Sequence, residues 1–578
     1  MMRLRSRRPI DLPTSDLRAA FTTFRLALRG QRRRITAAIL FALSITAIEL
    51  IKPWPITWVL DYLIAGQSDE RASIRPILIF TSVALAVPIL HGLATERLQL
   101  LVAQVSRKAT VRIRSDVFEH IQRLELPEHQ RHYTGDLLMR LMGDVNMIRD
   151  LLFPSWLTLL SRGSVLIGGA VVFALVDIRL FCVALIPLPL LWVTVEKGSS
   201  AIKSAAGKQR RKEGAIASTA AESLRQVSLI KAFSAEERTS ESFRSDARSA
   251  ERATMAAARH AARMARLAEI LTGAGVALVL TVGALRTRSG LLTPGQLILA
   301  ISYTRMVYKP VRKLTGEGAK VAKATACALR VMALLDQATE DPTAGTPVGP
   351  LDGDIDFLQV SHTYPDGRSS LQSLSARFPS GSLVAVTGEN GTGKSTLLSL
   401  LLRLYRPSEG EVRIGGIDIS TMQLASYRDQ IAYVPQELAL FGGTIRENIA
   451  FGRPDATDTD ILLAAEAALL GPVLDTLPEG IDTVLDEAGA SLSGGQARRL
   501  MLARAALRKA SVLLLDEPLT GLDPEARAIV ARAISNIAAG RTTLVVHHGA
   551  LTELAPDFQL KLDPKPTVSN RHLSVVSQ

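Results

Sequence analysis

Apolar residues along this chain are gathered into long runs in its first 340 positions and into short ones afterwards. The long runs are Ile35–Leu60, Ile77–Val102, Leu152–Val176, Leu180–Val195, Leu267–Leu285 and Pro294–Val311. A bilayer core of ~30 Å is crossed by about 20 mostly apolar helical residues, so the pattern predicts six membrane helices. Leu267–Leu285 is the cleanest run, broken only by Glu269. Leu180–Val195 is short. Only Asp177-Ile178-Arg179 separates it from the run before, which predicts a tight helical hairpin. The connections after runs one, three and five are short. Those after runs two and four, 103–151 and 196–266, are long, helical in period and densely charged. They predict membrane helices that continue far into water and turn back briefly. An even number of spans puts both ends of the chain on one side.

Ahead of the first span, Leu17, Phe21, Phe24 and Leu28 form one helical stripe among Arg18, Arg25 and Arg29. That pattern predicts a helix lying in the membrane interface. A signal peptide fits poorly, because about 34 residues precede the apolar run and no small-residue cleavage site follows it. Within the spans stand the ionisable residues Glu49, Lys52, His91, Arg162, Glu269 and Arg305. Such residues serve function, snorkel to the surface or pair between helices. Two cysteines, Cys182 and Cys327, exclude a disulfide framework and a multi-cysteine metal site.

Residues 341–350 read as a proline- and glycine-rich break, after which β-rich runs alternate with helical ones. Leu383-Val-Ala-Val-Thr387 has a buried-strand pattern. It leads directly into Gly388-Glu389-Asn390-Gly391-Thr392-Gly393-Lys394-Ser395-Thr396 and a helical run to Tyr405. Strand, glycine-rich loop and helix in this order make a phosphate cradle of backbone N–H groups at a helix N-terminus. Lys394 is expected to reach the β- and γ-phosphates and Ser395 to ligate Mg²⁺. A second strand, Ser511–Leu515, ends in Asp516-Glu517. Asp516 is expected to hold Mg²⁺ and Glu517 to polarise the attacking water. Between the two lies Leu492-Ser493-Gly494-Gly495-Gln496, a second phosphate nest at a helix start. One cradle already surrounds its own nucleotide, so a second implies a nucleotide gripped in trans and hence a dimer.

The net charge of +13 is unevenly placed. Residues 1–35 carry +8, residues 36–344 carry +12 and residues 345–578 carry −7. The acidic C-terminal third argues against a basic nucleic-acid-binding domain there. The positive charge follows the membrane half, and the arginine-rich N-terminus indicates a cytoplasmic start.

With these motifs in this order, the sequence resembles the ATP-binding cassette (ABC) transporters, specifically exporter-type half-transporters, over nearly its whole length. Leu492–Gln496 matches the family signature, Gly388–Ser395 the Walker A loop and Leu513–Glu517 the Walker B strand. The resemblance implies an all-α membrane domain of six helices, type I exporter-like, followed by an α/β P-loop ATPase domain with a helical subdomain. The domains then read as a basic interfacial segment 1–34, a transmembrane domain 35–335, a linker 336–352 and the ATPase domain 353–578. The same resemblance implies that Tyr364 stacks on adenine and that Gln436 senses the γ-phosphate side of Mg²⁺. It makes Asp523 the D-loop aspartate and Glu487 a contact to the intracellular helices. Counting from Arg541–Val546, His548 rather than His547 meets the γ-phosphate. Catalysis falls to Glu517, His548 and Gln436, and the metal to Ser395, Gln436 and Asp516. The turns near Pro127–Tyr133 and Phe233–Glu236 resemble coupling helices. Thr520-Gly-Leu-Asp523, Gly549 and the tail Asp563–Gln578 depart from the family pattern.

The implied function is ATP-driven export of a lipid, hydrophobic compound or peptide by a dimer, of two copies of this chain or of this chain with a related half-transporter, that hydrolyses ATP with Mg²⁺. The expected setting is a bacterial inner (plasma) membrane with the N-terminus and ATPase domain cytoplasmic, and with no nucleic-acid partner. An importer or an ATP-gated channel on the same scaffold is the alternative.

Overall fold

The structure is a computed structural model that describes residues 14–65, 74–486, 492–548, 553–562 and 574–575. Glu487, Gly549 and all of the tail except Ser574–Val575 lie outside the described residues. The chain folds as two units. One takes residues 1–121 and 133–337, the other 122–132 and 338–578.

Among the described residues, the regular structure of the first unit is all helical. Its helices are α1 (Thr14–Phe24), α2 (Arg32–Ile51), α3 (Trp54–Ala65) and α4 (Ile74–Arg123). After the short α5 (Leu126–Gln130), which belongs to the second unit, come α6 (Thr134–Met139), α7 (Val145–Asp150), α8 (Trp156–Val176) and α9 (Ile178–Leu185). Then follow α10 (Leu188–Arg225), α11 (Val227–Ala232), α12 (Glu236–Arg288) and α13 (Pro294–Leu335). α4, α10 and α12 run for 50, 38 and 53 residues, so the charged segments are continuous with the apolar ones. Five stretches of described helix have the length and mean hydropathy of a membrane span. The sixth expected span, Pro294–Val311, is helical within α13 but falls short in hydropathy, since Arg305 and Lys309 interrupt it. The N-terminal stripe is partly spent on the protein. Phe24 is buried, and the rings of Phe21 and Trp156 lie 6.2 Å apart.

Prolines break two of the apolar runs that read as single helices. Pro53 and Pro55 stand at the junction of α2 and α3, and Pro187 and Pro189 at that of α9 and α10. Proline lacks the N–H that a helix needs and its ring clashes with the preceding turn. Two buried tyrosines of α13 serve these breaks. The Tyr303 hydroxyl donates to the Leu50 carbonyl at 2.5 Å and accepts from Trp54 Nε1 at 2.9 Å. The Tyr308 hydroxyl donates to the Ala184 carbonyl at 2.6 Å. Gly275 of α12 makes room for it, because a Cβ there would stand 2.3 Å from the hydroxyl oxygen. The predicted hairpin at Asp177 is present. Its carboxylate caps α9 by accepting from the Arg179 and Leu180 N–H groups, each at 2.9 Å, and pairs with Arg286 at 2.9 Å. Asp61 sits at the N-terminus of α13, where it accepts from Gly295 N at 2.7 Å and from Thr293 Oγ1 at 3.0 Å. A carboxylate there meets the positive end of the helix dipole.

The second unit is α/β. Strands β1 (Ile355–Thr363), β2 (Ser369–Phe378), β4 (Glu409–Ile414) and β5 (Ile417–Asp418) form an antiparallel sheet in the order β2-β1-β4-β5. A six-stranded sheet has the order β12-β11-β3-β10-β9-β6. Its members are β3 (Leu383–Gly388), β6 (Ile431–Val434), β9 (Val512–Asp516), β10 (Thr542–His547), β11 (Phe558–Leu562) and β12 (Ser574–Val575). All pairs in it are parallel except β11 with β12. β9 is buried along its whole length and β10 almost so, as parallel strands covered on both faces must be. Alternate residues feed two cores. Val384, Val386, Leu514 and Val546 pack with α14 (Lys394–Leu401), while Ala385, Leu513, Leu515 and Val545 face the helical part. That part includes α17 (Asp458–Ala467), α19 (Gly494–Leu507) and α20 (Pro524–Ala538). The segment 122–132 adds to this unit through a Leu124–Thr339 bridge and through Leu126, which packs on the core that contains α14.

Replacing Tyr308 with Phe leaves the Ala184 carbonyl unpaired inside the helical unit. It should cost about 1–2 kcal/mol, read as a lower apparent melting temperature of the detergent-solubilised protein. Gly275→Val, which displaces the whole tyrosine ring, should lower it further.

Candidate nucleotide site

In a parallel sheet the strands' carboxyl ends share one edge, and ligands bind there. Here β3 ends at Gly388, β9 at Asp516 and β10 at His547, with Val546 in register with Asp516 and His547 with Thr387. β6, in register with β9 up to Val434, leads into Gln436. The topology thus delivers the glycine loop, both carboxylates, a glutamine and two histidines to one edge.

There, Tyr364, Asn390, Gly391, Gly393, Lys394, Ser395, Thr396, Gln436, Glu517 and His548 line a cavity of about 480 Å³. Gly388, Gly391 and Gly393 all have positive φ, at 156°, 81° and 95°. A Cβ on Gly393 would meet the Ser370 carbonyl at 2.5 Å, and one on Gly388 the Leu562 carbonyl at the same distance. The loop therefore needs glycine for both conformation and space. Lys394 Nζ donates to the Gly388 and Glu389 carbonyls, each at 2.8 Å, and Thr392 Oγ1 donates to the Glu389 carbonyl at 2.9 Å. Burial holds the Lys394 ammonium below its ordinary pKa, against the pull of Glu517 and Asp516.

Ser395 Oγ lies 3.4 Å from Asp516 Oδ1. Burial raises the Asp516 carboxyl above the usual range, with the Glu517 charge adding to it. Next to it, the Glu517 carboxylate is tied on both oxygens. Oε2 accepts from Gln436 Nε2 at 2.9 Å and from Thr520 Oγ1 at 3.3 Å, while Oε1 is 2.7 Å from His548 Nε2. Glu517 has φ +48°, and its N–H donates to the Val546 carbonyl at 3.0 Å. A non-glycine residue in that conformation stores strain, which is typical of functional sites. His547 points elsewhere, half-buried, and burial lowers its pKa. Of the two histidines, the one favoured by spacing is the one on Glu517.

The surroundings of Tyr364 are not evident from the motifs. Its hydroxyl is 2.7 Å from Thr396 Oγ1, its ring meets those of His362 and Tyr405 edge-on at 4.9 and 5.2 Å, and Arg368 lies 5.1 Å from its centroid. His362 is two residues before Tyr364, at the same-face spacing of a strand. That was the available signal. Tyr405 carries the cluster onward, since its hydroxyl donates to Gln130 Oε1 of α5 at 2.6 Å.

The structure does not bring Ser493, Gly494, Gly495, Gln496 or Asp523 into this cavity. Ser493 and Gln496 close a capping box on α19, and Asp523 caps α20 by accepting from Ala526 N at 3.2 Å. Gly495 lies against α20, where a Cβ would meet that of Ala526 at 3.0 Å.

Residues 35–311 match the family model of the ABC transporter transmembrane region and residues 371–520 that of the ABC transporter. A lipid A-core flippase of Dechloromonas aromatica is 33% identical over 78% of this chain and 77% of its own. The chain belongs to the ABC transporters. A multidrug efflux ATP-binding/permease protein of Mycobacterium bovis is 32% identical over 76% of this chain and 37% of its own. In fold, this ABC transporter is similar to a bacterial Atm1-family ABC exporter with ATP bound. The TM-score is 0.80 at 24% identity, covering 94% of this chain and 95% of the other. It is a multi-pass membrane protein that couples ATP hydrolysis to transport.

Gly393→Ala should weaken binding of a fluorescent ATP analogue by about tenfold or more, since a positive φ and a clash with the Ser370 carbonyl are imposed together. The circular dichroism spectrum should not change.

Proposed function

We propose that two copies of this chain form a homodimeric exporter of a lipid, hydrophobic compound or peptide in a bacterial inner membrane, with the ATPase domains cytoplasmic. The observation that carries its chemistry is the Glu517 carboxylate, held by Gln436 and His548 beside Lys394 and the glycine loop.

ATP fits the cradle formed by Gly388, Glu389, Asn390, Gly391, Thr392, Gly393, Lys394, Ser395 and Thr396, with adenine on Tyr364. Lys394 then exchanges its two loop carbonyls for phosphate oxygens. Ser395, Asp516 and Gln436 are hard oxygen donors of the kind Mg²⁺ takes, and with phosphates and water to complete its shell few protein ligands are needed. When bound, Mg²⁺ supplies charge neutralisation at the phosphates. Glu517 orients the attacking water and accepts its proton, while His548 and Gln436 fix the carboxylate and meet the γ-phosphate side. Ser493, Gly494, Gly495, Gln496 and Asp523 stand outside this chain's own cavity, which supports their serving the nucleotide held by the partner copy. Closure of two ATP molecules between the copies would bias the membrane unit between inward- and outward-open states. Export is supported by the names of the relatives, a flippase and an efflux protein.

Glu517→Gln keeps the size and the hydrogen-bonding reach of the side chain but removes the base. Purified wild-type protein should show vanadate-sensitive ATPase activity, and the variant should lose about a hundredfold or more of it while still binding ATP. Unchanged turnover in the variant would refute the assignment.

A further inference from the structure

The first unit holds a cavity of about 720 Å³ among α2, α4, α8 and α13. Four cations line it, Lys52, Arg162, Arg305 and Lys309, against one carboxylate, Glu49. Glu49 already faces His91 at 3.9 Å. Among the described residues, none of the four cations has an ion-pair or hydrogen-bond partner. The rest of the wall is largely apolar, including Leu98, Val102, Leu157, Val165 and Met306.

A cation inside a membrane segment is costly unless it is paired or faces a polar cavity. Snorkelling would send each head group outward to the nearest bilayer surface. These four instead converge on one space from α8, α13 and the α2–α3 break. Arg305 and Lys309 are one helical turn apart and so share a face of α13. Tyr303 and Tyr308, through their bonds to Leu50 and Ala184, hold that helix in place. A cationic or neutral amphiphile would leave the four charges uncompensated. A small inorganic anion would leave the apolar wall unused.

We infer that this cavity receives an anionic amphiphile, a phosphate- or carboxylate-bearing molecule with a hydrocarbon part. Its charged head lies among Lys52, Arg162, Arg305 and Lys309, and its apolar part runs along Leu98, Val102 and Leu157. The inference rests on the transport reading above and names its substrate class.

The test uses the full chain reconstituted in phosphatidylcholine bilayers, with ATPase rate and thermal shift measured in parallel. The probes are dodecyl phosphate, dodecyl maltoside, dodecyltrimethylammonium and inorganic phosphate alone. Dodecyl phosphate should alter the ATPase rate and raise the melting temperature, and the other three should do neither at the same concentration. In the double variant Arg305→Gln/Lys309→Gln, the half-maximal dodecyl phosphate concentration should rise about tenfold or more. The proposal is overturned if the maltoside or the ammonium probe acts as strongly as dodecyl phosphate. It is also overturned if inorganic phosphate alone reproduces the response, or if the folded double variant responds like wild type. The charge series on wild-type protein decides the matter even if the variant does not fold. Absence of any ATPase activity would sink the transport reading, while the thermal shift would still decide the cavity.

Discussion

In a bilayer no water is available to a stray backbone carbonyl, and this constraint organises the membrane unit. The chain places proline pairs at Pro53/Pro55 and Pro187/Pro189, so helices must break where they can least tolerate it. α13 answers both breaks with phenol hydroxyls five residues apart, Tyr303 on the Leu50 carbonyl and Tyr308 on the Ala184 carbonyl. Each bond ties α13 to a different kinked helix, and Gly275 of α12 is small because the second one passes beside it. Once those hydroxyls are fixed, the rotation of α13 is fixed, and with it the face that bears Arg305 and Lys309.

The ATPase unit depends on a different economy. Its groups come from loops far apart in sequence, yet each follows a strand of one parallel sheet. Register alone sets Asp516 level with Val546 and His547 level with Thr387, and the residues just beyond the strand ends supply the chemistry. Glu517 is then held by its own N–H on the Val546 carbonyl and by three side chains on its carboxylate. The site's groups are thus carried by the ends of the buried strands β9 and β10.

Much of this was legible in the sequence because it rests on local rules. Apolar runs, the hairpin at Asp177, the glycine loop and the strand ending in Asp516-Glu517 are each set by residues adjacent in the chain. The signature residues were legible too, and their capping box on α19 is a local feature. What escaped was non-local. The convergence of four cations from separate helices, the edge-on cluster of His362, Tyr364 and Tyr405, and the tyrosine-to-carbonyl bonds join residues that only tertiary packing brings together. The breaks near Pro53 and Pro187 lay hidden for the opposite reason. Hydrophobicity summed over a window does not register a missing N–H.

The membership of residues 122–132 in the ATPase unit bears on how this chain can be divided. Glu340 N donates to the Arg123 carbonyl at 2.7 Å, Glu125 N to the Ala338 carbonyl at 3.2 Å, and Tyr405 to Gln130 at 2.6 Å. The polypeptide therefore passes between its two folding units three times, and a single peptide bond cleaved near residue 340 does not part them. An ATPase fragment beginning there would have a bare ledge where α5 and Leu126 belong, with backbone and tyrosine partners left to water. Autonomy of the catalytic half is thus a property of two separated pieces of sequence, one of them only eleven residues long.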